Sequence, residues 1–97
     1  MVKVVNLRTD RYTVYGGRAG HGKGGRFGNP FVVGRDGQRG ECVELFRTWF
    51  HSEAGRTMRE LAEQTLTEND VLGCFCKPLA CHCDVIASHI NKINNWH

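Results

Sequence analysis

Four of the five cysteines fall within ten residues, in the run Cys74-Phe75-Cys76-Lys77-Pro78-Leu79-Ala80-Cys81-His82-Cys83-Asp84, which sets four thiols, an imidazole and a carboxylate side by side. Zinc takes four soft or borderline ligands in a tetrahedron, and Pro78 would fix the return of the chain between two pairs of them. Cys74 and Cys76, two apart on a strand, would share one face, and Cys81 with His82 at a helix start would complete the set. The spacing lacks a C-x-x-C knuckle, and adjacent ligands strain a tetrahedron, so two other readings stand beside zinc. A helix N-terminus with Lys77 and His82 close by favours a thiolate, which makes Cys81 a candidate nucleophile and His82 or Asp84 the group that moves protons. Alternatively, Cys74 and Cys76 are small buried hydrophobes and His82 only caps or decorates a helix.

The second chemically suggestive segment is the loop from Gly16 to Pro30, which holds seven glycines. Its backbone amides can approach a ligand closely, and Arg18, Lys23 and Arg26 would complement phosphate, with Asn29 as a further polar contact. The loop is neither a Walker loop, since no G-x-x-x-x-G-K-[ST] occurs, nor a dinucleotide fingerprint, since no helix start follows it. Tyr12, Tyr15, Phe27 and Phe31 are candidates for stacking on bases, although Tyr12 and Phe31 read as core. His21 has no evident partner, and a solvated flexible excursion accounts for the same composition.

The elements that must position these segments follow from periodicity. Val2 to Leu7 and Arg11 to Tyr15 are β-branched and aromatic runs around an Arg8-Thr9-Asp10 turn, which predicts two strands paired as a hairpin. Phe31-Val32-Val33 predicts a brief third strand. Cys42, Leu45, Phe46, Trp49 and Phe50 recur at helical spacing, which places Cys42 in the core, and Met58, Leu61, Ala62 and Leu66 repeat the pattern after Gly55. Val71 to Cys76 reads as a buried strand stopped by Lys77-Pro78. Val85, Ile86, His89, Ile90 and Ile93 then mark a last helix, with His89 a satisfied core histidine and Asp84 in the first turn, where the helix dipole favours a carboxylate. The expected fold is therefore a small α/β domain spanning residues 1–97: three to four strands, about three helices, and a Rossmann-like strand-turn-helix at the C-terminal end. Ligands of such folds collect outside the carboxyl ends of the strands, which is where both suggestive segments fall.

Composition narrows the class of function. Of 97 residues, 40% are apolar and 24% charged, the balance of a globular chain. No apolar run reaches the ~20 residues of a membrane helix, and the N-terminus lacks a secretory h-region, so a cytoplasmic protein with no membrane partner is expected. Residues 1–40 carry eight Lys/Arg against two Asp, whereas residues 41–97 carry five against eight acids. Ten of the twelve glycines lie between Gly16 and Gly40, alongside Arg18, Lys23, Arg26, Arg35 and Arg39, so a basic, glycine-rich face is expected.

Gly17-Arg18, Gly28-Asn29-Pro30-Phe31 and Cys74-x-Cys76-x-Pro78-x-x-Cys81-His82-x-Asp84 followed by an apolar helix together resemble a small uncharacterised domain of bacteriophage and bacterial proteins, a domain-of-unknown-function family. The resemblance runs from about Val2 to Ile93. It implies a small α/β domain of phage origin with Arg18, Asn29, Cys76, Cys81, His82 and Asp84 around one site. The C-terminal strand-loop-Cys-His-helix also looks like the end of another uncharacterised α/β family thought to handle nucleic-acid-related ligands. Cys83, where the family more usually has a small residue, adds a candidate ligand, and the charged stretch Ala19 to Gly25 departs from the pattern as well.

The leading expectation is a protein that binds a phosphate-bearing ligand, a nucleotide or nucleic acid, through Arg18, Lys23, Arg26 and Asn29, with zinc at Cys74, Cys76, Cys81 and His82. A nucleotide-processing enzyme using Cys81, His82 and Asp84 is the second reading. A phage interaction protein that engages a host protein through the basic loop is the third.

Overall fold

The computed structural model describes residues 1–20 and 24–96. Three strands, β1 (Lys3–Asn6), β2 (Val14–Tyr15) and β3 (Val71–Cys74), form one sheet in the order β1-β3-β2. Both outer strands run parallel to β3, in register from Lys3 opposite Val71 to Asn6 opposite Cys74 on one side, and with Val14 opposite Leu72 on the other. The hairpin expected between the first two strands does not form. Leu72, Gly73 and Cys74 are buried, and a strand buried in this way takes partners on both edges, whereas a β1–β2 hairpin would leave one edge of it unpaired. Residues 7–13 instead return the chain so that β2 starts in the same direction. Thr13 fastens the restart, its hydroxyl donating to Asp70 Oδ1 at 2.8 Å and accepting the Val71 N–H at 2.8 Å. Gly73 permits it, because the Tyr12 ring lies 2.6 Å from where a Cβ would stand.

Three helices follow the expected spacing: α1 (Arg39–Phe50), α2 (Arg56–Thr65) and α3 (His82–Ile93). α1 buries Cys42, Val43, Phe46 and Phe50. Val43 rather than Leu45 completes its stripe, and Leu45 is exposed. A 3₁₀ turn over Glu53–Gly55 leads into α2, whose Arg59 donates to the carbonyls of Phe50 at 2.6 Å and Ser52 at 2.9 Å, a cation placed on the partial negative charge that ends α1. α3 buries Val85, Ile86, Ala87 and Ile90. It alone of the three helices lies against β1 and β3, while α1 and α2 pack on α3. The architecture is thus a small mixed α/β fold of three strands and three helices, with the apolar face of α3 at its centre. Half-buried His89 pairs with Glu63 at 2.7 Å across the α2–α3 contact.

Phe31-Val32-Val33 makes no strand. Gly34 and Gly37 take φ of 94° and 147°, which closes residues 32–37 into a turn with a single bridge between Val33 and Gly37 and leaves no length to pair. Among the described residues no helix is long and apolar enough to cross a membrane.

Candidate functional site

The carboxyl ends of β2 and β3 open into a cleft of about 630 Å³. Its walls are the chain after β2 (Tyr15 to Gly20), residues 29–33, the first turns of α1 and α3, and the Cys74-Phe75-Cys76 segment. Among the described residues three guanidinium groups border it, Arg8, Arg18 and Arg39, and no carboxylate does. None of the three is ion-paired with an acid among the described residues.

Each arginine is placed differently. Arg18 donates through Nε to the Asn29 carbonyl at 3.1 Å and through Nη2 to the Phe31 carbonyl at 2.7 Å, clamping residues 29–31 to the end of β2. Asn29 makes the clamp rigid: its Oδ1 accepts the Phe31 N–H at 2.9 Å, an Asx turn, and its Nδ2 reaches the Cys42 carbonyl of α1 at 3.4 Å. Arg8 lies 5.3 Å above the ring of Phe75, which is 51% exposed and meets Tyr15 edge to face at 6.4 Å. Arg39 is the first residue of α1, where the helix dipole disfavours a cation.

The cysteine corner forms the floor. β3 ends at Cys74, Cys81 is the N-cap of α3, and Cys83 stands two residues further on. The Sγ atoms of Cys74, Cys81 and Cys83 all lie within 4.8 Å of one another, with the residues 1%, 1% and 0% exposed. Three sulfurs so placed are a cluster that could hold a metal ion. The S–H groups of Cys81 and then Cys83 hydrogen-bond the Cys74 sulfur and, against the cost of burial, hold it well below the ordinary thiol range. Cys81 and Cys83, whose thiols hydrogen-bond to Cys74, are pushed up in turn, with burial adding to the rise.

His82, 8% exposed, is a strut. Its Nε2 lies 2.8 Å from the Gly16 carbonyl and 2.7 Å from that of Phe27, so Nε2 carries the proton and donates to both. Burial drives its pKa below the usual histidine value, and the two carbonyls only partly oppose this. Nδ1 then faces Cys81 Sγ at 3.8 Å, and the ring packs against Phe46 of α1 at 5.1 Å. Gly16 is required beside it, because a Cβ there would run into Cys83 Sγ and stand 3.2 Å from the Gly73 carbonyl.

Of the residues singled out in the sequence, Arg18, Asn29, Cys74, Cys76, Cys81 and His82 line the cleft. Arg26 does not line it and is exposed, and Lys23 lies outside the described residues, as does His21. Asp84 faces away from the cleft: one oxygen accepts the Cys81 N–H at 3.2 Å and the other pairs with Lys77 Nζ at 2.7 Å, so it caps α3. Cys76 is not a member of the sulfur cluster, and Cys83 is. Sequence reasoning gave no site role to Arg8 or Phe75, and placed Arg39 only on a basic, glycine-rich face. Arg39 carried a legible signal, a cation at a helix start where an acid is preferred; Arg8 and Phe75 carried none.

A model of one family, described as Domain of unknown function (DUF4326), matches residues 3–92. No curated protein and no solved structure matches the chain. The chain belongs to the DUF4326 family.

Proposed function

We propose that this DUF4326 member binds a small phosphate-bearing ligand of the nucleotide class in the cleft at the carboxyl ends of β2 and β3. The observation that carries the reading is the cleft's charge: Arg8, Arg18 and Arg39 on its walls and no acid among its described lining residues. An anion between the guanidiniums would remove their mutual repulsion and reverse the unfavourable position of Arg39 on the α1 dipole. Tyr15 and Phe75 add aromatic surface beside the cations, which suits a base attached to the phosphate. A concave cleft of about 630 Å³ falls within the roughly 300–1,000 Å³ of small-molecule sites, and so favours a nucleotide over a strand of nucleic acid. Zinc on the thiols of the floor belongs to the same reading. The G-N-P-F and C-x-C-x-P-x-x-C-H-x-D motifs support a phage-type origin.

Binding rather than turnover is favoured because the proton-moving groups are committed elsewhere. Asp84 is engaged by Lys77 and by the Cys81 amide, and the His82 Nε2 proton by two carbonyls. The test is calorimetric titration with adenosine diphosphate and with inorganic phosphate at low and at moderate salt, using the wild type and Arg39→Gln. Binding that weakens with salt and falls about tenfold or more in Arg39→Gln is expected, the loss of one charge-assisted bond being worth about 1.5–3 kcal/mol. No heat with either probe at low salt, or affinity indifferent to Arg39, overturns it.

A further inference from the structure

We infer that Cys74, Cys81 and Cys83 form a zinc site of three thiolates whose fourth position opens on the arginine-lined cleft. Only the occupant of that fourth position rests on the phosphate reading; the three-thiolate site stands without it. Tetrahedral zinc at about 2.3 Å from each sulfur needs sulfurs about 3.8 Å apart, and these three all lie within 4.8 Å of one another.

Three further observations point from three packed thiols to a metal. One of the sulfurs is already an acceptor: the Cys83 N–H donates to Cys81 Sγ at 3.4 Å. Amide donors of this kind surround metal thiolates and orient them. Second, Cys81 occupies an N-cap, a position that prefers the oxygen of Ser, Thr, Asp or Asn; sulfur at a cap is a poor choice unless the sulfur has other work. Third, Gly16 keeps clear the space against Cys83 that a side chain would fill.

A fourth protein ligand is lacking among the described residues. His82 spends Nε2 on the Gly16 and Phe27 carbonyls and does not join the cluster through Nδ1, and Cys76 lies outside it. Cys74 and Cys81 border the cleft whereas Cys83 does not, so the cleft side is the one from which a fourth ligand would reach the buried triad. Zinc with three thiolates carries one net negative charge, which Arg8 and Arg18 on the same walls offset. Its open position takes water or an anionic oxygen donor, the pattern of zinc sites that meet a ligand directly.

The test is native mass spectrometry of the untagged chain purified under reducing conditions, with Cys81→Ser, Cys83→Ser and Cys76→Ser. One zinc per chain is expected in the wild type and in Cys76→Ser, and its loss in the other two. Cys81→Ser keeps a good cap, so its fold is retained and loss of metal is not loss of structure. Should Cys83→Ser fail to fold, the wild type reconstituted with Co²⁺ replaces it: charge-transfer absorption of three thiolates, with ligand-field bands that shift on adding thiocyanate, is expected. A chain free of metal, copper or iron in place of zinc, or metal lost from Cys76→Ser, overturns the assignment. Cobalt bands indifferent to thiocyanate overturn the open position while leaving the triad, and they leave the phosphate titrations untouched.

Discussion

The first turns of α1 and α3 face the same cleft and solve the same local problem with different chemistry. Both helices run for twelve residues, and in each an acid at the third position reaches back to the cap: Glu41 Oε1 accepts the Gln38 N–H at 3.0 Å, and Asp84 Oδ2 accepts the Cys81 N–H at 3.2 Å. After the cap they diverge. α1 continues with exposed Arg39 and Gly40, and α3 with buried His82 and Cys83. The capping box satisfies backbone donors equally well in either setting, so the residues between cap and acid are free to serve something else. At α1 that something is an exposed cation on the cleft wall; at α3 it is a buried sulfur corner braced by the His82 ring. A helix start is therefore a mount, and the cargo is read from what breaks the capping preferences.

The two mounts are coupled through Phe46, which is fully buried on α1 and packs on the His82 ring. Phe46→Ala should have the largest effect, about 3–5 kcal/mol, and should loosen both corners together; urea unfolding measures the first and loss of both metal and phosphate binding the second. Retention of either binding would show the corners to be independent. Gly16→Ala separates them. The added methyl meets Cys83 Sγ and the Gly73 carbonyl, so about 1–3 kcal/mol is expected from overpacking, with the α3 corner disturbed and Arg39 untouched. Thermal unfolding together with phosphate titration distinguishes local from global damage.

Much of this division was legible in the residues. Cys81-His82-x-Asp84 before Val85, Ile86 and Ile90 reads as a helix start, and the glycine loop reads as a neighbour of the same strand ends. Cys76 falls outside the sulfur cluster for a physical reason: alternation of faces holds only within a strand, and β3 ends at Cys74, so Cys76 lies in the segment that follows. Cys83 enters the cluster because the start of α3 folds its sulfur back beneath the cap, a relation set by the docking of α3 on β3. The parallel pairing of β1 and β2 was hidden for the same kind of reason. Their residues specify extended chain, while the partner that orders them is 68 positions away for β1, as Asn6 beside Cys74 shows, and no local signal distinguishes that from a hairpin.

Arg39→Gln sharpens the comparison from the other side. Affinity for phosphate or adenosine diphosphate should fall about tenfold, roughly 1.4 kcal/mol, while the unfolding midpoint stays level or rises, since removing a cation from a helix N-terminus gains about 0.3–1 kcal/mol. Binding and stability would then move in opposite directions, the signature of a residue retained for its ligand. A drop in both would make Arg39 a structural residue, and the difference between the two helix starts would shrink to one of burial.

The smallest effect is also the one with the most informative sign. In metal-free protein under chelation and reduction, Cys81→Ser replaces a sulfur cap by an oxygen one that bonds the same first-turn amides more closely, so stability should rise by up to about 1 kcal/mol. The hydroxyl oxygen takes over the Cys83 N–H that the sulfur now accepts, so it is not buried without a partner. With zinc present the order should reverse, because the wild type gains binding energy that the variant has lost. Paired urea titrations with and without chelator check this. A variant less stable than the wild type in both conditions would mean that the sulfur is kept for packing alone, and the start of α3 would then be the ordinary helix end and α1 the specialised one.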